Sequence, residues 1–315
     1  MTAPPQLLPD ALEGTSANAP TLLDPELLRE LEAMRRLFRP RARSASAGAH
    51  LGRRRGGHAE FSEHRAYTSG DDLRRVDWAA FARAGTPVVK VFRAEEDVAV
   101  RLVVDASRSS SFGTPSKLSV AKRIAAAIAY LALSESERAE VSCARERLSA
   151  VSAPVRGRAG LAKVLGALDS IVPSGGTALA DVLDDAIGRF RRPGNLVVLS
   201  DFFDPGPWDA AVARAAAAGH DVSLVQVLAE EEVSPPWDGD VTLVDSETGD
   251  TVELTFDEDV RDAYEARLFS LFQKLSQVAA RARGGYARAV GSTNLPATIR
   301  SLLTRKVETW APSSS

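Results

Sequence analysis

Oxygen-bearing side chains at strand ends are the residues in this chain best placed to do chemistry. In Leu102–Gly113, LVVDASRSSSFG, three apolar residues run into Asp105, and Ser107 and Ser109 follow at alternate positions, giving D-x-S-x-S. One carboxylate and two hydroxyls suit a hard cation such as magnesium, which takes oxygen ligands and keeps several waters. Neutral hydroxyls cancel little of the ion's charge. The ion therefore seeks a further anionic oxygen, such as a Glu or Asp from a partner. The plainer reading is a serine-rich turn that caps the next helix. Two later segments add to the set. Ser174–Thr177, SGGT, brings Thr177 after a flexible glycine pair, just before a predicted helix. Asn195–Asp204, NLVVLSDFFD, is a second apolar run ending in polar residues, with Asp201 two positions past Leu199.

The positioning elements follow from hydrophobic pattern. Leu102-Val103-Val104 and the Asn195 run read as strands buried on both faces, as in a parallel sheet. Ligands of such sheets bind beyond the carboxyl ends of the strands. Predicted elements alternate: a helix over Lys117–Ser136, strands at Glu140–Ala144 and Leu148–Ala153, and helices at Leu161–Ile171 and Ala178–Arg191. A helix at Pro207–Ala218 and a strand at Asp221–Leu228 come next. Val241–Val244 and Thr251–Phe256 alternate around a turn at Glu247–Asp250 and read as a hairpin. Asp257 caps a long helix to about Arg283. Tyr286–Val290 and Pro296–Thr304 close the series as strand and helix. The pattern predicts an α/β fold with a doubly wound, mostly parallel sheet flanked by helices.

In order, spacing and placement these segments resemble the von Willebrand factor A domain, over roughly Ala99 to Arg305. The resemblance implies a metal-ion-dependent adhesion site made of D-x-S-x-S, a loop threonine and a strand-end aspartate. Residue by residue these are Asp105, Ser107, Ser109, Thr177 and Asp201, with Mg²⁺ or Mn²⁺ as the cation.

Other constellations are weaker. His58, Glu60 and His64 are spaced H-x-E-x-x-x-H, which lacks the one-turn separation of H-E-x-x-H zinc sites. Asp71, Asp72 and Asp77 could hold two metals for phosphoryl chemistry, but neighbouring arginines explain them as ion pairs. Glu230-Glu231-Glu232 and Asp204 read as solvated acids. The four histidines form no triad with a Gly-flanked serine. No G-x-x-x-x-G-K-[ST] loop is present to bind a nucleotide. A metal-dependent hydrolase using the Asp105 site or Asp71, Asp72 and Asp77 is the competing function, and a degenerate domain without metal is a third.

Gly56–Phe92 mixes Glu60, Arg65, Asp71, Asp72, Arg74, Asp77 and Arg83 with Phe61, Tyr67, Trp78 and Phe81. Charges of both signs beside aromatics predict a buried ion-pair network, and Pro87–Phe92 a strand. From Gly57 and Glu60 to Arg83 the segment resembles the signature of the domain of unknown function 58 family. The match continues through Val89–Phe92 and Glu95 into VVDASRS, so it covers about Leu51 to Arg305. Ser110 departs from the family, which often has Met there. The resemblance implies an adaptor or co-chaperone acting with a MoxR-type AAA+ ATPase, and a short soluble branch without membrane helices.

Composition sets outer bounds. The 315 residues are 44% hydrophobic and 26% charged, as in a globular protein with a real core. A net charge of −3 argues against general nucleic-acid binding. Arg35 to Arg55 holds eight arginines and no acid, read as a solvated connector because no aromatics interleave for base stacking. The single cysteine, Cys143, has no disulfide or zinc partner and suits a core position, so the cytoplasm is the expected compartment. No apolar run reaches the roughly 18 residues of a membrane span. The expected organisation is disorder over 1–23, an N-terminal extension with the family signature over 24–96, the von Willebrand A-like domain over 97–307, and a tail over 308–315. Within the extension, Leu27, Leu28, Leu31, Met34 and Phe38 mark a helix that packs on the main domain.

Overall fold

The computed structural model describes residues 21–37, 59–94, 99–291 and 294–305. In chain order the first elements are helix α1 (Pro25–Met34), strand β1 (Ala59–Ala66), helix α2 (Trp78–Ala84) and strand β2 (Val88–Ala94). Then come β3 (Ala99–Asp105), α3 (Lys117–Ser134), β4 (Arg138–Ala144), β5 (Leu148–Ala150), β6 (Val155–Arg156), α4 (Leu161–Asp169) and α5 (Leu179–Arg189). The last are β7 (Asn195–Ser200), α6 (Trp208–Ala217), β8 (Asp221–Leu228), α7 (Glu230–Val233), β9 (Gly239–Val244), β10 (Thr251–Phe256), α8 (Glu258–Arg281), β11 (Arg283–Val290) and α9 (Leu295–Thr304).

The main sheet runs β11-β8-β7-β3-β4-β5, with β6 also on β4. Pairs from β11 through β4 are parallel, and β5 and β6 join β4 antiparallel. Strand β3 lies in the middle, and Leu102, Val103 and Val104 have no exposed surface. Alternate side chains serve opposite faces. Leu102 and Val104 join α1, α3, α4 and α9 in one core, whereas Val103 joins α5, α6 and α8 in the other. This is the mostly parallel, helix-flanked sheet that the von Willebrand A resemblance implies.

From β3 the chain crosses to β4 on one side, and it later enters β7 on the other side. The carboxyl ends of β3 and β7 therefore form the topological switch point, where such sheets bind ligands. Asp105 ends β3, and Ser200 ends β7 directly before Asp201.

Helix α1 packs against α3 and α9 through Leu27, Leu31 and Met34, all buried in the core that those helices share with the sheet. Asp24 caps it by accepting from the Leu27 N–H at 2.8 Å, with Pro25 in the first turn. Phe38, most of the arginine run, all but the last residues of the 1–23 segment and the 308–315 tail lie outside the described residues.

The segment before β3 corrects an expectation. Strands β1 and β2 pair antiparallel, with α2 against β2. Two strands and one short helix supply too few layers to bury a charged network. Arg65–Asp71 (2.7 Å) and His64–Asp77 (3.0 Å) are surface pairs, Arg74 and Arg83 are exposed, and Leu73, Trp78 and Phe81 face solvent. Among its described side chains, Val76 and Val89 are buried. Among the described residues, buried ion pairs lie elsewhere: Arg101 on β3 with Glu140 on β4, 3.1 Å apart, and Lys117 with Asp201, 2.6 Å apart.

Candidate metal-binding site

Asp105 is buried at the end of β3. One carboxylate oxygen accepts from the Ser107 N–H at 2.9 Å, the other from the Ser200 hydroxyl at 2.6 Å. The first bond turns the chain sharply at the strand end and fixes the D-x-S-x-S loop. Burial, and then the charge of Asp201, push the Asp105 carboxyl up to about 6. A cation here would oppose that shift.

Ser107 is fully buried, and its hydroxyl lies 3.0 Å from that of Ser109. Ser110 turns away, its hydroxyl donating to the Ser107 carbonyl at 2.7 Å. The SGGT loop is tied to the same place: Ser174 N–H donates to Ala106 O at 2.8 Å, and Arg108 N–H to Gly175 O at 3.0 Å. Gly175 takes a φ of +72°, and a Cβ there would strike the Glu146 carboxylate at 2.5 Å. That close approach lets the Gly176 N–H donate to Glu146 at 2.7 Å. Thr177 is thereby set beside Ser109. The two hydroxyls converge on one atom, Oε1 of Glu247, at 3.0 Å from Ser109 and 3.1 Å from Thr177. Oε2 of Glu247 accepts from the Thr177 N–H at 3.0 Å.

Asp201 lies on the other side of Asp105 and is more committed than the sequence suggested. One oxygen accepts from Phe203 N–H at 3.0 Å, and the other meets Lys117 Nζ at 2.6 Å. Lys117 Nζ also reaches Glu232 at 2.6 Å. Burial works against the Lys117 charge, but Asp201 and Glu232 outweigh it and hold the ammonium above its ordinary range. Burial lifts the Glu232 carboxyl despite Lys117. Glu232 is thus no solvated acid, because α7 turns it inward to Lys117. Asp204 is likewise committed, to the Leu179 N–H (2.6 Å) at the start of α5 and to the Gly206 N–H (2.7 Å).

The structure brings Asp105, Ser107, Ser109, Thr177 and Asp201 to one edge of the sheet. Among the described residues no group of three or more His, Cys, Asp and Glu side chains is arranged to hold a metal, so any cation here must lean on hydroxyls. The donor set fits a hard ion: it is all oxygen, and the hydrogen bonds to Asp105 come from neutral donors. Asp105 and Asp201 flank the site, Glu247 is bonded to its hydroxyls, and Lys117 pairs with Asp201 and Glu232. The chemistry suits holding a divalent ion that binds carboxylates.

The alternative constellations separate. Asp71 accepts from Arg65 and Thr68, Asp72 caps a 3₁₀ turn through Arg74 N–H, and Asp77 caps α2 through the Ala79 and Ala80 N–H groups. His64 pairs with Asp77, while the side chains of His58 and Glu60 lie outside the described residues.

Sequence reasoning missed Ser200, Lys117, Glu232 and Glu247. Ser200 was within reach, as the polar residue that ends β7 before Asp201. The other three come from distant segments; Glu247 is 138 positions from Ser109, and no local pattern joins them.

The chain belongs to the family described as "Protein of unknown function DUF58", whose model matches residues 63–270. Uncharacterized proteins of Mycobacterium tuberculosis and Mycobacterium bovis are 34% identical over 249 residues, covering 76% of this chain and 77% of theirs. Among solved structures, the conserved hypothetical protein BatB from Bacteroides thetaiotaomicron aligns at 18% identity with a TM-score of 0.44, covering 66% of this chain and 98% of that one. A von Willebrand factor type A protein from Catenulispora acidiphila aligns at 15% identity with a TM-score of 0.42, covering 69% and 44%.

Proposed function

We propose that this protein is a metal-dependent protein-binding adaptor. Asp105, Ser107, Ser109, Thr177 and Asp201 would hold Mg²⁺ or Mn²⁺. The bound ion supplies an electron-poor centre that takes a carboxylate oxygen from a partner protein. One observation carries this reading: the hydroxyls of Ser109 and Thr177, from two loops at the switch point, converge on a single carboxylate oxygen. A site arranged around a carboxylate in this way is built to recognise one.

The family resemblance supports a MoxR-type AAA+ ATPase as the partner, and the single cysteine, Cys143, with no second cysteine to pair with, supports the cytoplasm as the compartment. Among the described residues no helix is long and apolar enough to cross a membrane. Binding rather than catalysis accords with the site's hydroxyls, which are engaged with one another, with Glu247 and with Asp105. His220 is buried beside Arg101 at the amino-terminal ends of the strands, far from any nucleophile of the site.

The test is a pull-down with tagged full chain from its native lysate, run with Mg²⁺, with EDTA, and with Asp105→Ala, read by mass spectrometry. An AAA+ ATPase retained only with Mg²⁺ and intact Asp105 is the expected result. Equal retention in all three would move binding to another surface.

A further inference from the structure

The carboxylate in the site belongs to the chain itself. Glu247 sits on the turn between β9 and β10, and this hairpin is mostly exposed, with Val244 63% and Val252 57% accessible. Its base is anchored. Phe256 is buried and stands edge-on to Trp237 with ring centres 6.0 Å apart. Arg261 lies over Phe256 and donates to the Pro235 and Trp237 carbonyls, both at 2.8 Å. The tip is shaped by Asp245, whose carboxylate accepts from the Glu247 N–H at 2.7 Å and the Thr248 N–H at 3.0 Å. This turn aims Glu247 at the loops after β3 and before α5. There both its oxygens are used, Oε1 by Ser109 and Thr177 hydroxyls and Oε2 by the Thr177 N–H.

We propose that Glu247 is an internal carboxylate ligand of the site, standing where the acidic side chain of a partner would bind, so that the hairpin tip must leave before a partner enters. The inference rests on the metal-dependent reading above. It follows from three features together. The hydroxyls that would hold the cation are the ones Glu247 occupies. The tip projects from a hairpin with little buried surface of its own, so it can swing without breaking the core. The base is fixed, so a released tip stays close and competes as a tethered ligand at high local concentration. The hairpin thereby sets a threshold: a partner gains access only if its carboxylate, with its other contacts, outcompetes Glu247.

The test uses the full chain and Mn²⁺ as the probe, with free Mn²⁺ counted by electron paramagnetic resonance. Wild type, Glu247→Ala, Glu247→Gln and Asp105→Asn are compared, each with and without excess acetate as a free carboxylate. The expected result is that Glu247→Ala binds Mn²⁺ about tenfold more weakly or worse, the range seen when a supporting metal-site group is lost. Acetate restores much of that loss and leaves wild type unchanged. In Glu247→Gln, amide hydrogen exchange over 239–256 becomes faster while the main sheet keeps its protection. If Asp105→Asn loses Mn²⁺ but Glu247→Ala binds like wild type and ignores acetate, the internal ligand is wrong and the metal site stands. If Asp105→Asn binds Mn²⁺ as wild type does, the metal reading itself falls, and the internal ligand falls with it.

Discussion

Lys117 enters the site from the first turn of α3, where the positive end of the helix dipole disfavours a cation. It is buried there because Asp201 and Glu232 lie on either side of it, each 2.6 Å away. Replacing Lys117 with Met leaves two carboxylates facing each other in a dry place. Breaking a buried pair in this way costs about 3–5 kcal/mol. Urea denaturation of Lys117→Met is expected to show a lower midpoint at unchanged slope, and Lys117→Met/Glu232→Gln to recover part of it; a midpoint equal to wild type would show that the pairing carries no stability. At this scale the sequence was informative where chemistry and chain position coincide. Asp105, Ser107, Ser109 and Asp201 stand at the ends of apolar strands, and Thr177 follows a glycine pair. Lys117, Glu232 and Glu247 were invisible, because an acid in EEE or a lysine opening an alanine-rich helix looks solvated until the fold closes over it.

Among the elements, the parallel strands were legible because each is a short apolar run bounded by polar residues, and the β9–β10 hairpin because its residues alternate around a turn. Strand β1 was not read, since AEFSEHRA is mostly polar and bulges between Phe61 and Glu63; it is a strand through pairing with β2. Buried ion pairing was expected in the wrong segment for a related reason. Arg101 sits inside AVRLVVD, where apolar neighbours mask it, and Glu140 meets it only when β3 and β4 pair in register. His220, just before β8, completes this layer: Arg101 Nη1 lies 3.4 Å from its Nδ1. Burial and then the Arg101 charge hold His220 below its ordinary value of 6.5. The unfolded chain takes up a proton near pH 6.5 that folded His220 refuses. Stability from this residue is therefore present above pH 6.5 and is lost as pH falls, at up to about 1.4 kcal/mol per pH unit. Melting temperature measured from pH 7.5 to 5.5 is expected to fall less steeply in His220→Gln than in wild type. An identical slope would exclude His220 as the source.

The whole molecule joins a large parallel sheet, with α1 packed into its core, to the small β1–β2 unit that bears part of the family signature. Its described surface carries exposed Leu73, Trp78 and Phe81, whereas the oxygen-rich site lies at the switch point of the main sheet. The proposed adaptor role depends on a divalent cation at this switch point. Calorimetric titration of Mg²⁺ into the full chain tests it most directly, with Asp105→Asn and the double variant Ser109→Ala/Thr177→Ala alongside. One Mg²⁺ site is expected in wild type, and both variants are expected to lose it. Mg²⁺ at a hundred times its dissociation constant is expected to stabilise wild type alone, by about 2.7 kcal/mol. A wild-type chain that binds no Mg²⁺, or variants that bind it equally well, would contradict the metal-dependent reading.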